Sequence, residues 1–326
     1  MYKRLTYAAL LIGAIMLGFS GNDYMTHLLV MTYIFATLAI SLDIIIGYMG
    51  QITLGHAGFF GIGGYTSALL SLKLGVPVWL GWLGAIGVAG ALGLFIGYVS
   101  FRTARGVSLA IITFGFGLVL LLIIGGWYPV TGGWAGLTKI PVPVLAIPGL
   151  PQVSFESPFS YYYLALALLL LTIYFTSRLW HSKFGRAIVA LRENEALAKS
   201  IGVYAFWHYV LAFTLGATLA GLAGAAYVHY IRVITPDLLG MYYVFTTLIM
   251  VIMGGKGTIP GPILGSAICV FVPEWLSSAG QFRVVLLGIV FLVCILFMPN
   301  GIYPSVLKLW NRAVWFRRRF ITFHQS

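Results

Sequence analysis

This sequence predicts an all-α polytopic membrane protein with about ten transmembrane segments, and three observations carry that prediction. The 326 residues are 60% hydrophobic and only 8% charged, against roughly 25% charged in an ordinary soluble domain. Apolar runs approaching the roughly 20 residues that a bilayer core demands recur from one end to the other. Runs such as YYYLALALLLLTIYF at 161–175 do not alternate between apolar and polar, so a transmembrane barrel is excluded as well.

The elements follow in order. MYKRLTYAALLIGAIMLGFSGN begins like a signal peptide, with a basic start and a short apolar stretch. No clear small-x-small site follows, so 5–20 reads as an uncleaved first span. Further spans are expected at 28–48, 57–72, 78–101, 107–127, 160–179, 205–231, 241–253, 261–276 and 282–298. The segments 241–253 and 261–276 are short for crossings. They read either as full crossings or as half-helices joined by GGKGTIPGP (254–262) and dipping in from outside. Irregular backbone at that depth is tolerated only when buried in protein or lining a cavity.

An even count puts both termini on one side. With the N-terminus inside, only Lys73, Lys139, Arg232 and Arg283 of the 19 lysines and arginines fall outside. That bias marks the cytoplasmic side, so the chain reads as N-in/C-in. The net charge of +12 is then a topological signal, not a sign of nucleic-acid binding. Residues 128–159 are rich in proline and glycine and nearly uncharged, and they fall outside; the heavily charged 178–203 falls inside. The C-terminal FRRRF is expected to anchor this topology, in contact with anionic lipid. Cys269 and Cys294 lie in apolar runs and read as buried thiols.

GYMGQITLGHAGFFGIGGYTSALL (47–70) is glycine-rich, yet it matches no phosphate-binding pattern and lacks a β–α setting. On a helix, Ala57, Gly61, Gly64 and Ala68 share one face, and small residues on one face let membrane helices pack closely. The same device recurs at Gly93 and Gly97. It recurs again at Gly216, Ala220 and Gly224, beside Ala217, Gly221 and Ala225. Asp43, Gln51, Thr53 and His56 are not explained by packing. A carboxylate within a span faces the bundle interior or water. Asp43 therefore reads as a pathway residue or as a hydrogen bond to a neighbouring helix. Gln51 and His56 sit at a break between helices, where a cap or loop bond is the first expectation. His208 and His229 lie near opposite ends of one span and read as solvated or helix-end residues.

GRAIVALRENEALAKSIG (185–202) mixes helix formers and charge at helical spacing. Ile188, Leu191, Ala198 and Ile201 are expected on one face, with Arg192–Glu195 and Glu195–Lys199 pairs on another. An amphipathic helix can lie on a lipid surface. The acidic Glu193 and Glu195 argue instead for docking onto a cytoplasmic protein.

Four stretches, taken in order, resemble the permease subunits of ATP-binding-cassette importers for branched-chain amino acids, the LivM-like group. They are SLDIIIGYMGQITLGHAGFFGIGGYTSALL, GRAIVALRENEALAKSIGV, LAFTLGATLAGLAGAAY and VIMGGKGTIPGPILGSA, within about 28–300. The resemblance implies a single permease domain over 1–326 with the importer permease fold. A cytoplasmic coupling segment would lie at about 180–203 and a periplasmic loop at about 128–159. Gly185, Arg186, Arg192, Glu193, Asn194 and Glu195 would meet an ATP-binding subunit. A second, homologous permease would complete the path, and a periplasmic binding protein would deliver the solute. The location implied is a bacterial inner membrane, with lipid and not nucleic acid around the chain. No cofactor is expected on this chain: no G-x-x-x-x-G-K-[ST] loop exists, GGKGT lacks the spacing, and ATP would be used by the partners. Enzyme chemistry is not expected, because the six histidines show no metal-ligand spacing. The alternatives are the same importer type carrying urea, short amides or another small polar solute, and an ion-coupled secondary transporter.

Overall fold

A computed structural model describes residues 22–104, 106–145, 152–276 and 301–308, with isolated residues between 280 and 298. The expected span at 5–20, nearly half of 282–298 including Cys294, and the FRRRF segment lie outside the described residues. Within them the chain is mostly helical. Five helices are long and apolar enough to cross a membrane: Asp23–Tyr48, Val78–Thr103, Val107–Gly126, Pro158–His181 and Ala205–Ile231.

The first of these comprises α1 (Asp23–Asp43) and a π turn, Ile44–Tyr48. It starts five residues before the apolar run because Asn22 caps it, accepting from the Tyr24 N–H at 3.1 Å. α2 (His56–Lys73) is glycine-rich and ends at Gly75, where φ is +62°. α3 (Val78–Thr103) and α4 (Val107–Gly126) follow. α5 (Pro158–His181) opens with Ser157 as cap and proline in the first turn. α6 (Lys183–Glu193) and α7 (Glu195–Ser200) are short and charged. α8 (Ala205–Ile231) matches the span read from sequence, and α9 (Met241–Gly254) and α10 (Pro260–Trp275) complete the set.

The segment 128–159 is not all loop. β1 (Leu137–Thr138) pairs antiparallel with β4 (Val233–Ile234), and β2 (Val144–Leu145) pairs with β3 (Val153–Ser154). The first of these ladders fastens the segment to the connection that follows α8.

The core forms where small residues let helices touch. α8 lies against α1, α2 and α3. Gly63 meets the backbone of Gly221, and a methyl group on Gly224 would run into the Phe60 carbonyl. Gly61 lies under Leu239, and Gly64 faces Val228 and the Gly224 carbonyl. Gly216 faces Ser41 and Ile45, Gly93 faces Ala217, and Gly97 faces Phe213. Ala57, Ala68 and Ala220 are buried within this packing.

The long helices alternate in direction, giving the bundle two ends. Arg102, Arg178, Lys183, Arg186, Arg192, Lys199 and Lys256 gather toward one, here called the basic end; Lys73, Lys139 and Arg232 lie at the other. The hairpin between α9 and α10 reaches the basic end, because Gly257 lies against Gly47 and Arg192. That differs from a loop dipping in from the opposite side. α9 has 14 residues, or about 21 Å at 1.5 Å per residue. The stretch 232–240, with β4 and a 3-10 turn at Pro236–Leu239, covers the rest of the distance.

Candidate functional site

The polar residues that packing leaves over converge at the basic end. Asp43 is buried, and its Oδ1 accepts the Gly257 N–H at 2.8 Å; the Thr258 N–H also points to this carboxylate. The π turn follows immediately and leaves the Gly47 carbonyl outside the helical ladder. Arg192 Nη1 donates to that carbonyl at 2.6 Å. A side chain on Gly47 would collide with Asp43 and with the Gly257 N–H. Tyr48 stacks flat on Trp180, with ring centroids 3.5 Å apart. One joint thus links the end of α1, the α9–α10 hairpin, the end of α5 and the charged segment 183–200. Of the two readings of Asp43, the hydrogen bond to a neighbouring element describes its geometry.

The connection from α1 to α2 is tied down as well. Gln51 Oε1 accepts the Gly106 N–H at 2.9 Å, and Thr113 Oγ1 accepts the Leu54 N–H at 3.2 Å. Thr53 is buried, its hydroxyl turned to the Gly55 N–H at 3.4 Å. The Ser41 hydroxyl donates to the Leu38 carbonyl, so His56 Nε2, 2.7 Å away, carries the proton given to Ser41. The buried His56 Nδ1 has no hydrogen-bond partner among the described residues. Gln51, Thr53 and His56 therefore hold backbone and helices together at this level.

The segment 185–202 is two helices, not one. Asn194 ends α6 and caps α7, accepting the Leu197 N–H at 3.0 Å. The break changes the expected Arg192–Glu195 pairing: Arg192 bridges Glu193 instead, while Glu195–Lys199 forms at 2.7 Å. Gly185, Ile188, Leu191 and Ala198 face the bundle. Ile201 does not join them; it is 74% exposed, beside exposed Leu197 and Tyr204. Arg186 donates to the His181 carbonyl at 2.7 Å. The outer surface of the segment thus mixes Arg186, Glu193 and Lys199 with large apolar side chains.

His229 is also corrected. It is fully buried, with Nδ1 donating to the Pro141 carbonyl at 2.6 Å and Nε2 accepting from Ser67 at 2.7 Å. His208 is half-buried near the start of α8, with Nδ1 donating to the Tyr204 carbonyl at 2.7 Å and its ring stacked on Phe184. No group of three or more metal-ligating side chains occurs among the described residues.

Sequence reasoning missed Gly257, the Gly47 carbonyl and Ser67. Asp43 signalled that a partner had to exist, but backbone groups carry no residue signature.

Five long apolar helices, with a polar joint at one end that binds a charged surface segment to the bundle, define a multi-pass membrane protein. The family profile described as "Branched-chain amino acid transport system / permease component" matches residues 24–298, and the chain belongs to this family. It is a transporter component, not an enzyme. The branched-chain amino acid permease LivM of Escherichia coli K12 is 29% identical over 95% of this chain and 78% of its own length. LivM of Salmonella typhimurium is 28% identical, covering 93% and 75%. LivH of E. coli K12 is 27% identical, covering 84% and 93%. A solved structure, PsaBC from Streptococcus pneumoniae in complex with Fab, covers 90% of this chain and 99% of its own. Its identity to this chain is 15% and the TM-score is 0.46.

Proposed function

We propose that this chain forms half of the translocation path for branched-chain amino acids in an ATP-driven importer. A second, homologous permease supplies the other half, and a periplasmic binding protein delivers the solute at the end bearing Lys73, Lys139 and Arg232. ATP-binding subunits dock at the basic end against α6–α7 and hold the nucleotide. The chain is one permease domain of about ten spans with both termini in the cytoplasm, set in a bacterial inner membrane. Basic residues mark the cytoplasmic side, and their gathering at the end that carries α6–α7 supports this orientation. The names of the relatives favour branched-chain amino acids over urea or short amides.

The observation that carries the reading is the joint itself. Arg192 ties an exposed, two-helix segment to the end of α1 and, through Asp43, to the α9–α10 hairpin. Closure of the ATP-binding subunits would then move α1 and α10 with the segment and rock the permease halves, as alternating access requires. Arg186, Glu193 and Glu195, with exposed Leu197 and Ile201, form the docking surface; Gly185 and Asn194 shape it by closing and breaking the helices.

Purification of the tagged chain from its native membrane, with mass spectrometry of its companions, tests the assembly. ATP-binding subunits and a second permease are expected in stoichiometric amounts. A clean preparation lacking ATPase in repeated mild detergents would overturn the proposal and favour an ion-coupled transporter. Glu193→Lys with Glu195→Lys is expected to abolish uptake while the bundle stays folded, since exposed ion pairs add little stability. Unchanged uptake would remove these residues from the coupling surface.

A further inference from the structure

Asp237 stands apart from every contact described so far. It lies where the helical path breaks after α8, in the 3-10 turn Pro236–Leu239 that leads into α9. This turn runs beside the middle of α2, not at a bundle end: Ile234 packs on Gly64 and Leu239 on Gly61. Those glycines are about 8 and 12 Å along α2 from His56, in a helix about 27 Å long. At that depth Asp237 is exposed on the surface of the chain. The Thr235 hydroxyl approaches it at 3.5 Å, and no lysine or arginine pairs with it among the described residues.

A bare carboxylate at bilayer depth does not face hydrocarbon; such groups face protein or a water-filled cavity. Irregular backbone at membrane depth obeys the same restriction. A face that lines a water-filled path satisfies both restrictions. Two tyrosines lie near Asp237. Tyr65 is buried, its hydroxyl has no hydrogen-bond partner among the described residues, and it lies within electrostatic reach of Asp237. Tyr243, bonded to Tyr227 at 3.1 Å, lies within the same reach. The first turns of α9 add exposed Met241, Tyr242 and Phe245.

A carboxylate beside apolar side chains complements a ligand with an ammonium group on an aliphatic body. We infer that Asp237 and Tyr65, flanked by Met241, Tyr242 and Phe245, form a transient site in the permease wall for the transported amino acid. Asp237 receives the ammonium group and the α9 side chains receive the branched chain. The inference rests on the substrate proposed above.

The test uses the assembled importer in proteoliposomes with its binding protein, reading leucine uptake and ATPase activity together. Asp237→Asn is expected to lower uptake by about tenfold or more, the cost of a charge-assisted bond, while ATPase stimulation by the loaded binding protein persists. Asp237→Glu keeps the charge and retains most uptake; Tyr65→Phe lowers uptake less than Asp237→Asn. Uptake by Asp237→Asn equal to a working wild type overturns the site alone. Equal losses in the Asn and Glu variants, or loss of the second permease from the Asn complex, assign Asp237 to packing or subunit contact and also overturn it. A wild-type complex that moves no branched-chain amino acid overturns the substrate reading, and the site with it.

Discussion

The polar bonds at the two ends of the bundle hold different parts of the chain. At the basic end the decisive bonds run from side chain to backbone: Asp43 takes the Gly257 N–H, Arg192 gives to the Gly47 carbonyl, and Gln51 takes the Gly106 N–H. At the opposite end, side chains pair between neighbouring helices, as in Tyr33–Tyr162 at 2.9 Å and His27–Tyr230 at 2.8 Å, and those that reach backbone mostly pin the outer segment: Lys73 at Pro129, Trp79 at Val144 and His229 at Pro141. A side chain that bonds backbone fixes the path of the segment it touches. A pair of side chains on adjacent helices holds surfaces that are already packed. The basic end is thus built to carry displacement from α6–α7 into α1 and α10. The opposite end is built to keep loops in place.

Between the ends lies the glycine crossing of α2 and α8, and breaking it is expected to have the largest effect. Gly224→Leu places a side chain where the Phe60 carbonyl stands. Backbone has no rotamer to yield, so the cost exceeds the roughly 1–3 kcal/mol of ordinary overpacking. Loss of nearly all monodisperse protein in detergent is expected, and a normal yield would show that α2 and α8 can separate cheaply.

The next effect separates coupling from folding. Arg192→Ala removes the bond to Gly47 and the bridge to Glu193. The Arg192 side chain is one-third exposed, so the bundle is expected to remain folded, with a melting temperature close to wild type. Uptake should fall by about tenfold, while binding-protein-stimulated ATPase falls less, because the segment moves without carrying α1. A parallel fall in both would place Arg192 in docking, not in the joint.

Asp43 gives a smaller and more selective effect. Asp43→Ala leaves the Gly257 N–H buried without its acceptor, at about 1–3 kcal/mol. Asp43→Asn keeps an oxygen for that N–H and is expected to retain stability and most uptake. The contrast with Asp237→Asn is the point of the experiment. One carboxylate is needed for its shape as an acceptor and the other for its charge. Lost uptake in a stable Asp43→Asn importer would return Asp43 to the pathway.

What the sequence disclosed follows the same division. Apolar periodicity and small-residue spacing are local, so α8 is legible at 205–231 and the Gly216–Ala220–Gly224 face can be read from one stretch. Capping is nearly as local, yet Asn22 extends α1 ahead of its apolar run, and Asn194 splits a pattern that reads as a single amphipathic helix. That split leaves Ile201 outside the buried face. The joint is not legible, because Asp43 and Gly257 are 214 positions apart and the partner groups are an N–H and a carbonyl. His229 misleads for a related reason: its place near a helix end suggests water, but Pro141 from the outer segment folds over it.

Ser67→Ala is the smallest change and tests the other side of the comparison. Ser67 donates to His229, and His229 in turn donates to Pro141, so the hydroxyl orients an imidazole that pins the outer segment. Removing it leaves the Pro141 bond intact and the imidazole still packed. Side-chain hydrogen bonds between membrane helices average only about 0.6 kcal/mol. A loss of about 0.6–1 kcal/mol of stability is therefore expected, measured by thermal unfolding in detergent, with uptake unchanged. His229→Ala should cost more, because it frees the segment as well as the pair. If Ser67→Ala instead impaired uptake as strongly as Arg192→Ala, the opposite end would also carry motion, and the division of labour between the two ends would fail.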